Sequence, residues 1–231
     1  METRPRVGLL VPSSNTVMEP DFWRALPPSA TLHTGRMYLE ETTPEAESRM
    51  LDEHVLPAAR DLATARPDLI VFGCTSAGAL RGNRYDADLC RRISDLSGVP
   101  TVSVIASVRQ AITASGARRV GVVTPYVDAL NQRIRESVEA DGVAVAGIAG
   151  LGISDNFEIA AVPQERIIDF AERTLRDLDI DLAFVSCTNF PAVAALPELE
   201  QRLGLPVVTS NQAAIAAVLR LLAAVPAREG A

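Results

Sequence analysis

Two stretches of this chain occur twice at a single spacing. Arg6-Val7-Gly8-Leu9-Leu10-Val11-Pro12 returns as Arg119-Val120-Gly121-Val122-Val123-Thr124-Pro125. Asp68-Leu69-Ile70-Val71-Phe72-Gly73-Cys74-Thr75 returns as Asp181-Leu182-Ala183-Phe184-Val185-Ser186-Cys187-Thr188, so both repeats share an offset of 113 residues, from 6 to 119 and from 68 to 181. A third echo, Gly98-Val99-Pro100 against Gly204-Leu205-Pro206, is offset by 106. Distant segments that keep one offset mark a repeated structural unit, so the chain has to fold as two similar halves.

Each half reads as α/β. Short β-branched runs at Val7–Val11, Thr31–Tyr38, Leu69–Phe72, Thr101–Val104, Val120–Thr124, Val143–Ile148, Leu182–Val185 and Val207–Thr209 alternate with longer amphipathic stretches, the pattern of βαβ units around parallel sheets. Thr43 as N-cap, Pro44 at the first helical position and Glu45 at the positive end of the dipole start a helix expected to run to about Arg66. The expectation is two pseudo-symmetric lobes, each a small parallel sheet flanked by helices, with an active site in the cleft between them. The first lobe takes residues 1–103 plus 209–231, its last helix returning from 212 to 224, and the second takes 104–208.

Composition narrows the chemistry. All 22 basic residues among the 231 are arginine, so Schiff-base chemistry through a lysine amine and the phosphate-binding lysine of a Walker A loop are both excluded. His33 and His54 are the only histidines and are not spaced for zinc, so no metal is expected. A net charge of −7 with 4% aromatics leaves no basic, base-stacking surface for nucleic acid. Three cysteines with no secretory leader, and no apolar run of membrane-spanning length, point to a reduced, cytoplasmic, soluble protein.

In open parallel sheets the loops at the carboxyl ends of strands build the site. Here those loops read Pro12-Ser13-Ser14-Asn15, Cys74-Thr75-Ser76, Pro125-Tyr126, Cys187-Thr188-Asn189 and Ser210-Asn211. Cys74 and Cys187 are repeat-equivalent, so a pseudo-two-fold axis would bring them to one cleft from opposite sides. Each is expected at a strand end entering a helix, where backbone N–H groups and the dipole lower a thiol pKa from about 8.5 toward neutrality. Cys90 falls on a stripe with Leu89, Ile93 and Leu96 and reads as core. Asn15 also reads as a helix cap, Tyr126 as a packed turn aromatic and Asn156 as part of a turn. His33 and His54 read as structural or solvated, and Trp23 as core or interface.

The same residues carry a family resemblance. Pro12-Ser13-Ser14-Asn15-Thr16, Thr43-Pro44-Glu45, Gly73-Cys74-Thr75-Ser76, Thr124-Pro125-Tyr126, Gly152 to Asn156 and Ser186-Cys187-Thr188 resemble the aspartate/glutamate racemase superfamily, in the branch of maleate cis-trans isomerases and arylmalonate decarboxylase. The resemblance implies a cofactor-independent isomerase acting on a small dicarboxylate, with Cys74 as nucleophile and Cys187 as acid/base partner. It further implies that Asn15, Tyr126 and Asn156 hold the substrate, helped by Thr75, Ser76 and Thr188. Arylmalonate decarboxylase looks similar but has glycine at the position of Cys74. Glutamate racemases carry an acidic residue in the first loop, where this chain has Ser13-Ser14-Asn15, and Asp155 or Glu19 would have to replace it. A racemase of aspartate, glutamate or a related small acid, an arylmalonate-type decarboxylase and an intracellular small-molecule binding module remain as alternatives. Leu80, Val162 and Phe190 are candidates for the pocket wall, and a homodimer is the default assembly.

Overall fold

The computed structural model describes residues 4–224. The first half runs β1 (Arg6–Pro12), α1 (Met18–Ala25), β2 (Thr31–Met37), α2 (Pro44–Arg49), a π-turn (Met50–His54), α3 (Val55–Ala63), β3 (Leu69–Phe72), α4 (Thr75–Leu80), α5 (Asn83–Ser97) and β4 (Thr101–Ser103). After α6 (Val104–Ser115) the second half runs β5 (Arg119–Thr124), α7 (Asp128–Glu139), β6 (Ala144–Gly150), α8 (Asn156–Ala160), α9 (Gln164–Leu175), β7 (Leu182–Val185), α10 (Leu196–Leu203) and β8 (Val207–Thr209), and α11 (Ser210–Ala224) follows.

The strands make two parallel four-stranded sheets, ordered β2-β1-β3-β4 and β6-β5-β7-β8. The duplication persists in the pairing register. Val7 lies opposite Leu69 and Val120 opposite Leu182, so both partners shift by the same 113 residues. β3 and β7 are apolar and buried at every residue, as strands covered by helices on both faces must be. The repeated aspartates have a structural use: Asp68 accepts the N–H of Arg6, and Asp181 accepts those of Arg118 and Arg119, at the entry of the central strand of each sheet. One apolar core extends through both halves, and a second cluster packs α3 and α5 on the other face of the first sheet. α11 packs against α1, α6, β4 and β8.

All eight expected strands are present, three with the expected bounds and five shifted by one or two residues at one or both ends. The helix opened by Thr43, whose hydroxyl accepts the Ala46 N–H at 3.3 Å, starts as expected. It passes through the π-turn and stops at Ala63, because Arg66 adopts a left-handed backbone with φ of 51°. Cys90 sits in the second core cluster with Leu89 and Ile93. Trp23 is 58% exposed and belongs to no core, which corrects that part of its reading. No helix among the described residues is long and apolar enough to cross a membrane.

Gly150 ends β6 where the chain passes beneath the turn that carries Tyr126. A Cβ there would run into the Tyr126 carbonyl oxygen and stand 2.6 Å from Asn131 Nδ2, both rigidly held. Gly150→Ala should therefore cost about 2 kcal/mol of stability and lower the melting temperature by about 5 °C, read by circular dichroism.

Candidate active site

Strand order decides where a site can form. In each sheet the chain leaves the central strand to one side and returns on the other, so the turns after β1 and β3, and after β5 and β7, flank a topological switch point where ligands bind in this architecture. Those four turns carry Asn15, Cys74, Tyr126 and Cys187. They meet at one tight cavity with about 10 Å³ of free space, far below the roughly 300–1,000 Å³ of sites for drug-sized ligands, so nothing larger than a small ligand suits it.

The cavity is lined by seven of the eight expected residues: Asn15, Cys74, Ser76, Tyr126, Asn156, Cys187 and Thr188. Thr75 is buried beside it, but its hydroxyl donates to Ser210 Oγ at 2.9 Å and it is not a lining residue. Leu80, Val162 and Phe190 pack into the apolar core instead of walling the cavity. Asp155 and Glu19 are not there either. Asp155 caps α8 through the N–H groups of Phe157 and Glu158, and Glu19 pairs with Arg36.

The sequence reading missed the lining residues Leu39, Thr42 and Glu47, and it named Asn189 only as part of its strand-end loop, without a role. Asn189 holds the site together: its N–H donates to Cys187 Sγ at 3.2 Å, its Oδ1 accepts the Thr16 N–H and its Nδ2 donates to the Asn156 carbonyl. Glu47 is fully buried and lines the cavity next to Cys74. Its signal was present as an acidic residue on the helical stripe of Glu47, Met50, Leu51, Val55, Ala58 and Leu62, where the other positions are apolar.

The amides are already engaged on one side. Asn15 Oδ1 accepts the N–H groups of Val17 and Met18, so this residue does cap the start of α1, while its Nδ2 donates to Thr188 Oγ1 at 3.0 Å. Asn156 Nδ2 donates to Ser14 Oγ at 2.7 Å, and its Oδ1 accepts from Asn189. A carboxamide has two N–H bonds, so each keeps one for a ligand.

The two thiols differ despite their common origin. Cys74 is the N-cap of α4, bonded by the Ala77 N–H and 3.9 Å from Ser76 Oγ. Cys187 enters no helix, contrary to expectation: a tight turn follows, and Cys187 itself has φ of 120°, a strained conformation for a residue with a Cβ. Its sulfur accepts the Asn189 N–H at 3.2 Å, the Phe190 N–H donates to the Cys187 carbonyl, and the nearby Tyr126 hydroxyl favours the thiolate. Burial outweighs these donors at both sites. It pushes the Cys187 thiol up to about 12 and Cys74 well above its ordinary value, where nearby Glu47 adds to the rise. The expected lowering toward neutrality is thus overturned by desolvation. Glu47 is raised by the same cause to about 8, opposed only by its bond from Ser76.

A lysine-free chain with two buried thiols, a buried acid, amides and hydroxyls around one small cavity defines a two-lobed α/β protein with a thiol-lined site. Comparison with known proteins places it more closely. The family model for arylmalonate decarboxylase matches residues 7–231, and the chain belongs to that family. It is 27% identical to the maleate isomerase of Geobacillus stearothermophilus over 94% of this chain and 91% of that one, and 28% identical to arylmalonate decarboxylase of Bordetella bronchiseptica over 94% and 90%. The structure of a cysteine-to-alanine variant of the maleate isomerase of Pseudomonas putida S16 with maleate superimposes with a TM-score of 0.88 at 28% identity, covering 95% of this chain and 92% of that one. A cysteine-to-serine variant of the Nocardia farcinica maleate cis-trans isomerase, with a covalently bound succinylcysteine intermediate, gives 0.86 at 25% identity over 96% of each chain. Glutamate racemases match at a greater distance, 26% identical over 78% of this chain for that of Parafrankia sp. and 63% of that protein.

Two measurements follow from the charge states. Alkylation of Cys74 and Cys187 by iodoacetamide, followed by peptide mass spectrometry, should rise about tenfold per pH unit from pH 7 to 9 without a plateau. Folding also keeps on Glu47 a proton that the unfolded chain releases above its ordinary 4.5. That stability is complete below about pH 4.5 and lost as pH climbs to about 8, a difference of about 5 kcal/mol. Urea denaturation at pH 5 and pH 8.5 should show Glu47→Gln equal to the native chain at the first pH and more stable at the second, whereas equal losses in both proteins would refute the buried proton.

Proposed function

We propose that the protein is a cofactor-independent isomerase of small dicarboxylates that converts maleate to fumarate. The observation that carries this reading is a pair of buried thiols on one small cavity whose other polar groups are uncharged hydrogen-bond donors and acceptors.

A cis alkene cannot rotate until its double bond becomes single. In the proposed cycle the Cys74 thiol first gives its proton to solvent and then, as thiolate, attacks C2 and forms a C–S bond, while the π pair moves to C3 and its carboxylate. The Cys187 thiol supplies a proton to C3. Rotation about the C2–C3 single bond follows. Cys187 then takes a proton back from C3, the pair re-forms the double bond in the trans arrangement, and Cys74 leaves as thiolate. The proton count closes, and no electrons are gained or lost. Charge that builds on the substrate carboxylate during addition meets the spare N–H bonds of Asn15 and Asn156, donors fixed in place by their other hydrogen bonds before the reaction begins.

Proton NMR of maleate incubated with the protein tests this directly, with the fumarate singlet as the expected product. Cys187→Ser should lose about 10²–10⁴-fold in kcat, and Cys74→Ser should abolish turnover. A folded sample that leaves maleate untouched but exchanges the α-proton of aspartate or glutamate in D2O would replace this reading with a racemase.

A further inference from the structure

Glu47 is the cavity group that the isomerisation leaves without work. α2 presents it between the thiol turns. Its Oε1 accepts the hydroxyl of Ser76, while Oε2 is buried and has no hydrogen-bond partner among the described residues, and the residue lines the cavity. The ionisable groups close enough to act on it are Cys74 on the α4 turn, Tyr126 on the β5 turn and Cys187 on the β7 turn, all held neutral by burial. Just past the end of α4 the Arg81 guanidinium turns outward to Asp52, Tyr85 and the Ser48 carbonyl. Among the described residues no arginine lines the cavity.

An ionised carboxylate there would leave a buried anionic oxygen with no protein donor among the described residues, a costly arrangement. The neutral acid has the opposite requirement. Since Oε1 already accepts from Ser76, the acid proton belongs on Oε2, where it is a donor without an acceptor.

Resting on the dicarboxylate reading above, we infer that Glu47 is a substrate-binding residue whose neutral carboxyl donates, through the Oε2 hydrogen, to one carboxylate of the bound ligand. The site therefore takes up a dianion together with a proton held in advance on the protein, in place of an arginine. Specificity follows: the ligand offers acceptor oxygens at this end, and an α-amino acid presenting an ammonium group would need the ionised form of Glu47. Burial places the carboxyl near 8, so the coupling falls within an accessible range, and both thiols titrate well above it.

The sign is fixed by linkage. A ligand that requires the protonated acid binds with constant affinity below the carboxyl's pKa and loses about tenfold per pH unit above it. Succinate is the probe, since it is saturated and cannot react with the thiols. Calorimetric titration of the full chain should give a Kd about tenfold weaker at pH 9 than at pH 7.5, with one proton taken up per succinate at pH 9, read from buffers of different ionisation heat. In Glu47→Gln the carboxamide still donates but cannot titrate, so its Kd should be flat over the same range and proton uptake should vanish. Native binding that tightens above pH 8, binding without proton uptake, or the same alkaline loss in Glu47→Gln would each overturn the inference. Succinate binding with this signature and no fumarate formed from maleate would sink the isomerase reading and leave Glu47 its role. Fumarate formed by a chain whose succinate binding ignores pH would do the reverse, and no succinate binding at any pH would end both.

Discussion

Hydrogen bonds between strand-end turns are what turn two similar half-structures into one site. The two sheets share no strand, yet Asn15 donates to Thr188, and Thr188 in turn donates to the Gly73 carbonyl beside Cys74. Ser210 accepts from the Thr75 hydroxyl and from the Cys187 N–H, so one oxygen ties both thiol turns. Asn156 reaches back to Ser14, and the Thr42 N–H donates to the Ser154 carbonyl, which fastens the segment before α2 to the one before α8. These bonds are buried, where an unmade partner costs far more than a made one returns. The network thus fixes the spacing of the thiols more firmly than apolar packing alone would.

The same burial governs the electrostatics. With water removed and no cation present, every ionisable group at the cavity is driven toward its neutral form: Cys74, Cys187, Tyr126 and Glu47 all move in that direction. An empty site of this kind stores no charge. Charge arrives with the ligand and develops during the reaction, and the donors that will meet it are already positioned by their second hydrogen bonds. The surface follows the opposite rule, with arginines spent on exposed pairs such as those to Asp52, Asp141 and Glu198.

The fold was legible because duplication is a long-range signal: one offset implied two sheets, and strand ends then implied which turns meet. Cys74, Asn15 and Tyr126 could be placed by that logic without knowing any contact. What failed depended on packing. Cys187 shares its repeat position with Cys74, but Asn189-Phe190-Pro191 continues as a turn where Ser76-Ala77-Gly78 continues as a helix, and that difference lies outside the repeated segments. The thiol pKa values were misjudged because a helix dipole can be read from position whereas desolvation requires knowing that the cavity is closed. Glu47 was overlooked because an acidic residue in a first helical turn already has a sufficient explanation in the dipole. Only its place on the apolar stripe contradicted that.

Divergence between the repeats also bears on how the proposed labour divides. The Asn189 N–H donates to the Cys187 sulfur at 3.2 Å and the Tyr126 hydroxyl favours its thiolate, whereas Cys74 has only a hydroxyl at 3.9 Å and the Ala77 N–H, and Glu47, which raises both thiols, ranks second only to burial at Cys74. Environments that push two like groups apart in pKa assign them different tasks. The better-solvated thiolate, that of Cys187, is the one that can be left behind after a proton is given up, which suits an acid/base partner. Burial and Glu47 raise the basicity of the Cys74 thiolate above that of an ordinary thiol, and sulfur nucleophilicity rises with basicity, so once formed it is a strong nucleophile toward carbon. The asymmetry therefore supports Cys74 for bond formation and Cys187 for proton transfer, and its origin is the turn after Cys187 that replaces a helix.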